Sequence, residues 1–336
     1  MSEPVVVDVG ALGFDGGAHV LVKLGLARVA TGGLVGVRGS HPDLLGGLRA
    51  WCRGQGHTVV EAEPHHAVVA WVRRGPSISA AWEGAEQAGT GRPDDVAERA
   101  RPSWGLAARG TWVEAGGPEP AFRLDRRDEL WTDRAPRLYA QAAAGQWDPE
   151  TAVDWQAPID HGDDVERAVV QVMTYLVENE QAALVVPARF LGQVHPHYRE
   201  VQQVLAVTVA DEARHVEVFT RRAQLTGRGG PTLSSAGGRL SLQTLLDEPD
   251  FAIAMFLLSV MGEGTFLSLL GFLERHAPDE ITRRIAQLAR ADEARHVAFS
   301  LGHLERHCAI EPDLRTRLMH AVERRHRALQ STAGLN

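Results

Sequence analysis

The chain has 336 residues, 44% of them hydrophobic and 23% charged, with a formal net charge of −8. That length allows two or three domains, each able to bury a core. The acidic balance excludes an electrostatic surface for nucleic acid, and Arg324, Arg325 and Arg327 read as a solvated helix end. Two cysteines, Cys52 and Cys308, form neither a ligand pattern nor a disulfide framework, which suits a reducing cytoplasm. The opening "MSEPVVVDVG" lacks a basic segment followed by an apolar one, so no secretion signal is expected.

Residues 5–73 alternate short apolar runs with turn residues. "VVVDV" is expected as a strand, 18–29 as a helix, "GLVGV" as a strand and 42–54 as a helix, with "HTVVEA" and "AVVAWV" as closing strands. This is a βαβαββ unit with its helices on one face. Residues 75–102, rich in Gly, Pro, Ala and Asp, suggest a linker, and 103–155 a short hairpin and a lead-in helix. All eight tryptophans lie at or before Trp155, where the character of the chain changes.

Helical periodicity follows, near 163–191, 197–225, 249–276 and 279–308, with a last short helix over 311–329. The Gly/Ser-rich "TGRGGPTLSSAGG" at 226–238 separates two helix pairs, a pattern that predicts a four-helix bundle. The expected fold is therefore multidomain α+β: a βαβαββ domain at 1–75, connecting elements at 76–155 and a bundle at 156–330. Residues 251–273 carry a single charge, Glu263, and are long enough to span a bilayer, which takes ~20 apolar residues. With no companion span and no Lys/Arg bias at its ends, the run is expected to be the central helix of a soluble core.

"DEARHV" occurs at 211–216 and again at 292–297. On a helix, Glu212 and His215, like Glu293 and His296, lie ~4.5 Å apart along the axis and about 60° apart around it, so both can reach one point. A carboxylate and an imidazole meeting there suit Fe(II), Mn(II) or Zn(II). One such pair arises easily by chance, whereas two in identical six-residue settings do not. The faces carrying them also carry Leu205, Thr208 and Phe219 on one helix, and Ile285, Ala286, Ala289 and Ser300 on the other. Both faces should point inward, and buried carboxylates require compensation.

Each motif should have a partner glutamate on the preceding helix. Glu263 is the one charge within residues 251–273 of the third helix. On the first, Glu180 falls in the apolar stripe of Val169, Val172, Met173, Leu176 and Ala183, whereas Glu178 lines up with Gln171 and Thr174. Four buried carboxylates balance two divalent cations, and without metal some would have to protonate.

The set Glu180, Glu212-x-x-His215, Glu263, Glu293-x-x-His296 resembles the ferritin-like non-haem diiron carboxylate proteins over roughly residues 160–308. The resemblance implies two Fe ions, with Mn/Fe or Zn as other occupants of the same ligands, and O2 as co-substrate. It also implies that Asp211, Arg214, Asp292 and Arg295 orient the histidines. A tyrosyl-radical generator needs a tyrosine beside the cluster, yet Tyr175 lies about 140° around the helix from Glu180 and Tyr198 almost four turns from Glu212. The arylamine N-oxygenases of this superfamily place a further histidine where this chain has Ala289, which argues against that chemistry.

What remains is an O2-activating oxygenase or hydroxylase acting on a small organic substrate with an external electron donor. The alternative is a non-catalytic metal-binding or redox-sensing protein that docks a partner. Thr208, Phe256, Val260, Phe266, Leu267 and Ala289 are the expected lining of an apolar substrate cavity, with Thr208 as its hydroxyl and catalytic candidate.

The N-terminal unit resembles the TusA/SirA-type sulfur-carrier domains over roughly 5–75, through "VDVGALGFDGGAH" and "GGLVGVRGSHPDLLGGLRAWCRGQGHTVV". Gly16 stands where that family carries the cysteine of its Cys-Pro-x-Pro motif, so persulfide chemistry at that place is excluded. Cys52 is expected to be a half-buried packing residue, and the domain a docking module for a protein partner. His65–His66 and His195-x-His197 are weaker metal candidates. A homodimer, free of membrane and nucleic acid, completes the expectation.

Overall fold

A computed structural model describes residues 4–62, 67–75, 84–92 and 94–329. The chain divides into two compact units, one formed by 1–95 and 101–121, the other by 96–100 and 122–336. The connecting region 76–155 is thus shared between them.

In the first unit, β1 (Val5–Asp8), α1 (Ala18–Leu26), β2 (Leu34–Arg38), α2 (Leu44–Gly54), β3 (Thr58–Glu61) and β4 (Ala70–Arg73) follow the expected βαβαββ order. The sheet order is β1-β2-β4-β3, with β1 parallel to β2 in the register Val5↔Val35, and β4 antiparallel to both neighbours. Alternation sends Val35, Val37, Ala70 and Val72 to one face, where Val22 and Leu26 of α1 and Leu48 and Cys52 of α2 cover them. Gly25 permits the close approach of α1, since a Cβ there would lie 2.3 Å from Cγ2 of Val7. The expected local hairpin within 103–155 does not form. Instead β5 (Glu86–Gln87) pairs antiparallel with β6 (Trp112–Val113), placing a strand inside the stretch expected as linker.

The second unit opens with α3 (Ala135–Ala144) and the one-turn α4 (Pro149–Ala152), whose N-terminus Asp148 caps through the Glu150 amide. The four long helical segments are α5 (Asp163–Leu191), α6 (Arg199–Gln224), a composite third segment and α10 (Glu280–Ile310). The sequence anticipates one continuous α-helix for the third. The structure has α8 (Phe251–Met255), a π-helical stretch (Phe256–Glu263) and α9 (Gly264–His276). Helix α7 (Ala236–Leu246), capped by Ser235, lies in the crossover between the two helix pairs, and α11 (Leu314–Leu329) follows α10.

The bundle core gathers Met173 and Leu176, Val218 and Phe219, Phe266 and Leu270, and Ile285 and Ala289, one pair from each helix. Burying each large apolar side chain contributes ~1.5–3 kcal/mol, which helps offset the cost of the polar groups enclosed beside them. At one end of the bundle, Arg222 reaches both carboxylate oxygens of Glu166 at 2.9 Å and Asp279 at 2.8 Å, tying α5, α6 and the start of α10 together. His161 and Thr226 also bond Glu166, at 2.7 Å each. The apolar segment Phe251–His276 has the length and hydropathy of a membrane span, yet it packs along α10 and carries a buried acid.

Candidate metal centre

The helices bring all six expected ligands to one place. The ligand atoms of Glu180, Glu212, His215 and Glu293 lie within 4.8 Å of one another, and so do those of Glu212, Glu263, Glu293 and His296. Glu212 and Glu293 belong to both groups. Oε2 of Glu212 is 3.1 Å from Nδ1 of His215, while its Oε1 is 3.0 Å from Nδ1 of His296. Glu293 divides in the same way, Oε1 at 3.4 Å from His215 and Oε2 at 3.4 Å from His296. Glu180 stands 3.6 Å from His215 and Glu263 3.9 Å from His296, each at one end. The pattern is two histidines, two terminal carboxylates and two carboxylates facing both positions.

The outward nitrogens of the histidines are held by acids of the opposite motif. Nε2 of His215 lies 3.2 Å from Oδ2 of Asp292, and Nε2 of His296 lies 3.2 Å from Oδ2 of Asp211. Arg214 bonds Asp211 and comes within 3.4 Å of Asp292, whereas Arg295 bonds Asp292 and stands 3.6 Å from Asp211. Two residues that the sequence reading missed complete this layer. Just beyond α3, Gln146 donates to Asp211 at 2.9 Å, and Nε1 of Trp147 donates to Asp292 at 2.8 Å while its ring stacks on His215. No motif marks them, because only the fold brings 146–147 beside 211 and 292.

The charges are consistent with a cation-binding site. Burial, aided by Glu212 and Glu293, pushes Glu180 well above the usual carboxylate range, and burial with Glu293 does the same to Glu263. Burial opposes ionisation of Glu212 as well, yet the neighbouring Glu180, His215 and His296 hold it well below that range. Against the effect of burial, Asp292, Glu180 and Glu212 raise His215, and Asp211, Glu212 and Glu293 raise His296, well above the usual imidazole range. Carboxyls and imidazoles raised in this way mark a cluster whose negative charge calls for positive charge beside it. Both carboxylate oxygens of Glu263 and of Glu293, Oε1 of Glu180 and of Glu212, and Nδ1 of His296 have no hydrogen-bond partner. Enclosed acceptors aimed at two common points fit divalent metal ions, and an O/N donor set of this kind suits Fe, Mn or Zn.

A small cavity of about 10 Å³, room for about one water, adjoins Glu180 and Glu263. Asn179, Ala183, Leu242, Leu245, Leu258, Gly262, Phe266 and Arg325 complete its wall. Of the residues expected to line it, Phe266 does. Thr208 is buried one turn before Glu212 without reaching the cavity, Ala289 belongs to the apolar core, and Leu267 lines an open groove between α9 and α10. Phe256 and Val260 are also absent from the wall. For Phe256 and Val260 the cause is the helical period. Those two were placed by α-helical spacing from Glu263, whereas π-helical i→i+5 spacing puts Leu258 on its face instead. Arg325, expected in solvent, is buried because α11 runs along α7 and the π-helical stretch.

Among the lesser candidates, Cys52 is fully buried rather than half-buried, and burial pushes its thiol up to about 12. His195 and His197 are buried too. His197 Nε2 accepts from the Ala97 amide at 3.0 Å, and His195 Nδ1 accepts from the His197 amide at 3.1 Å, so both pin backbone. His65–His66 lies outside the described residues. The Tyr198 hydroxyl donates to the Asp125 carbonyl at 2.9 Å, and the Tyr175 ring packs on Phe266.

No family model and no curated protein matches this chain. Among solved structures it is similar to a variant R2-like ligand-binding oxidase with an anaerobically reconstituted Mn/Fe cofactor, at 16% identity over 60% of this chain and 82% of the other, with a TM-score of 0.49. A second variant so described gives 18% identity over 60% and 79%, at 0.49. The same oxidase with an aerobically reconstituted Mn/Fe cofactor gives 17% over 60% and 78%, at 0.48.

Proposed function

We propose that the chain is a dimetal oxidoreductase that uses O2 to oxidise a small organic substrate. The observation that carries this reading is the division of Glu212 and Glu293, each presenting one oxygen toward each histidine. Independent ion pairs would not need that arrangement, whereas two cations side by side would. Glu180 and His215 would hold one ion, Glu263 and His296 the other, with Glu212 and Glu293 between them. When bound, such a pair supplies reversible one-electron chemistry and open positions for O2.

The protein's own residues do the rest. Asp292 and Asp211 fix the histidine rings with Nδ1 inward, and Arg214 and Arg295 balance the charge of those two acids. The apolar packing of Met173, Leu176, Phe219 and Phe266 keeps bulk water from the carboxylates. Hydroxylation would consume O2, two electrons and two protons for each substrate oxidised, the electrons coming from an external donor. No tyrosine touches the cluster among the described residues, which favours a bound substrate over the protein as the group oxidised.

Anaerobic loading with Fe(II) tests the reading. Two equivalents should bind, and Glu263→Ala should reduce the count to one or fewer. The loaded protein should then consume O2 in the presence of a reductant. A count of zero, or one ion insensitive to Glu263→Ala, would refute the dimetal site. Two ions inert to O2 would identify a structural centre instead.

A further inference from the structure

A file of polar groups runs down α10 from the metal centre toward the C-terminal end of that helix. His296, Ser300, His303, His307 and Glu311 follow one another at intervals of three or four residues, so they share an arc of about 80° in steps of ~4.5–6 Å. Ser300 and His303 are wholly buried, and His307 is 4% exposed. The hydroxyl of Ser300, both ring nitrogens of His303 and Nδ1 of His307 have no hydrogen-bond partner. Buried polar groups are ordinarily paired, and the buried His195 and His197 do bond backbone amides. Three successive unpaired groups along one stripe therefore call for a role other than packing.

His307 closes the outer end. Its Nε2 stands 2.9 Å from the half-exposed Glu311, while its ring centroid lies 5.5 Å from that of His303. Together with Glu129, Asp250, Arg126 and Arg317, His307 and Glu311 wall an open cleft of about 410 Å³. One nitrogen of His307 thus faces the surface and the other the bundle interior. At the inner end, Ser300 is one turn from the ligand His296. Burial, reinforced by His307, brings the His303 imidazole down to about 3, so the ring is neutral near neutrality. A neutral imidazole can take a proton at one nitrogen as it yields one from the other.

We propose that His307, His303 and Ser300 form the route by which protons pass from the cleft to the metal centre. Its purpose rests on the dimetal oxidoreductase reading. Apolar packing keeps bulk water from the carboxylates, yet hydroxylation takes up two protons for each substrate oxidised. Both end in the water formed from the oxygen atom that the substrate does not receive. His307 accepts at Nε2 and gives from Nδ1, and His303 accepts at one nitrogen and gives from the other. The Ser300 hydroxyl accepts as it releases its own proton inward. A half-turn of each ring restores its starting form, so no side chain gains or loses a proton over the cycle. Steps of this length are ones that a bridging water spans.

Hydrogen exchange at the His303 ring tests the route without turnover. Protein carrying isotopically labelled histidine is loaded with Zn(II) or treated with chelator, and exchange with water is followed by NMR. Scaled to its rate in a free peptide, the His303 ring proton should be protected at least a hundredfold less than the backbone amides of residues 300–304, which report opening of the bundle. His307→Phe should slow the ring proton at least tenfold and leave those amides unchanged. In Fe(II)-loaded protein, His303→Phe should keep two bound ions, slow O2 consumption at least tenfold and raise its solvent deuterium isotope effect. A ring proton protected as strongly as the amides, exchange indifferent to His307→Phe, or wild-type O2 consumption by His303→Phe would overturn the proposal. Should the His303 variant not fold, the exchange measurements on the wild type and on His307→Phe decide. Fast, His307-dependent exchange in a protein that binds no metal would refute the dimetal reading and leave the proton route standing.

Discussion

His215 and Asp292 belong to different copies of the repeated motif, yet their side chains meet at 3.2 Å, as do His296 and Asp211. Each acid therefore serves the ion position of the other half. Replacing Asp292 by Asn should weaken the ion held by Glu180 and His215 by about 10–100-fold, the usual cost of losing such a support. Stepwise metal titration of Asp292→Asn and Asp211→Asn, read by site-resolved spectroscopy, checks this. Weakening at the position of the mutated motif itself would contradict the crossed arrangement.

Four converging carboxylates make the metal-free protein less stable than its packing alone would allow. Glu263→Gln replaces a carboxyl whose ionisation burial and Glu293 oppose with a neutral group of the same shape. The metal-free variant should melt a few degrees above the metal-free wild type, at about 2–4 °C per kcal/mol for a unit of this size. With metal added the order should reverse, because the wild type gains more from binding. Thermal melts with and without chelator give the comparison, and a wild type that melts higher in both conditions would count against it.

The buried Glu166–Arg222 pair predicts an acid-sensitive bundle. Burial raises the Glu166 carboxyl, but hydrogen bonds from Arg222, Thr226 and His161 outweigh it and bring the pKa down to about 2, from an ordinary value of 4.5. The folded pKa is the lower one, so the unfolded chain binds the extra proton. The associated stability is complete above about pH 4.5 and is lost as the pH falls toward about 2, amounting to roughly 3 kcal/mol. Glu166→Gln should lose about 3–5 kcal/mol at neutral pH by leaving Arg222 underpaired, and should flatten the acid limb of the stability profile. Urea unfolding between pH 3 and pH 7 measures both effects.

Cys52 should be inert in the native state. Its thiol is pushed up to about 12 by burial, and Leu48 and Val72 share its apolar core. Iodoacetamide should label Cys52 only after unfolding, and Cys52→Ser should leave metal content and O2 consumption unchanged. A persulfide trapped on Cys52 under native conditions would reverse this view of the first unit.

The six convergent ligands were legible in the sequence because a helix converts spacing directly into direction. Glu180 could be preferred to Glu178 by the stripe it shares, and Glu263 by its isolation among apolar residues. Gln146 and Trp147 were not legible, since their partners lie 65 and 145 residues away and nothing local marks them. Arg222 was hidden for the same reason, its carboxylate partners being 56 and 57 residues distant. Arg325 was misjudged because charge alone suggested solvent, whereas the path of α11 decides its surroundings. At Phe256 and Val260 the expected cavity wall failed for a different reason, an unannounced change of helical period.

That change makes the third segment sensitive to its length as well as its composition. In an α-helix one residue corresponds to about 100° of rotation. Deleting Ser259 would let the π-helical stretch relax into ordinary α-helix while every apolar side chain stayed in the chain. With α8 held by its own packing, Glu263 beyond the deletion would be carried out of phase with the other ligands. The expected product is a folded bundle with one vacant terminal position, visible as a reduced metal count beside an unchanged circular-dichroism spectrum. Gaps and insertions within this helix are therefore a more telling mark of a lost centre than substitutions along it.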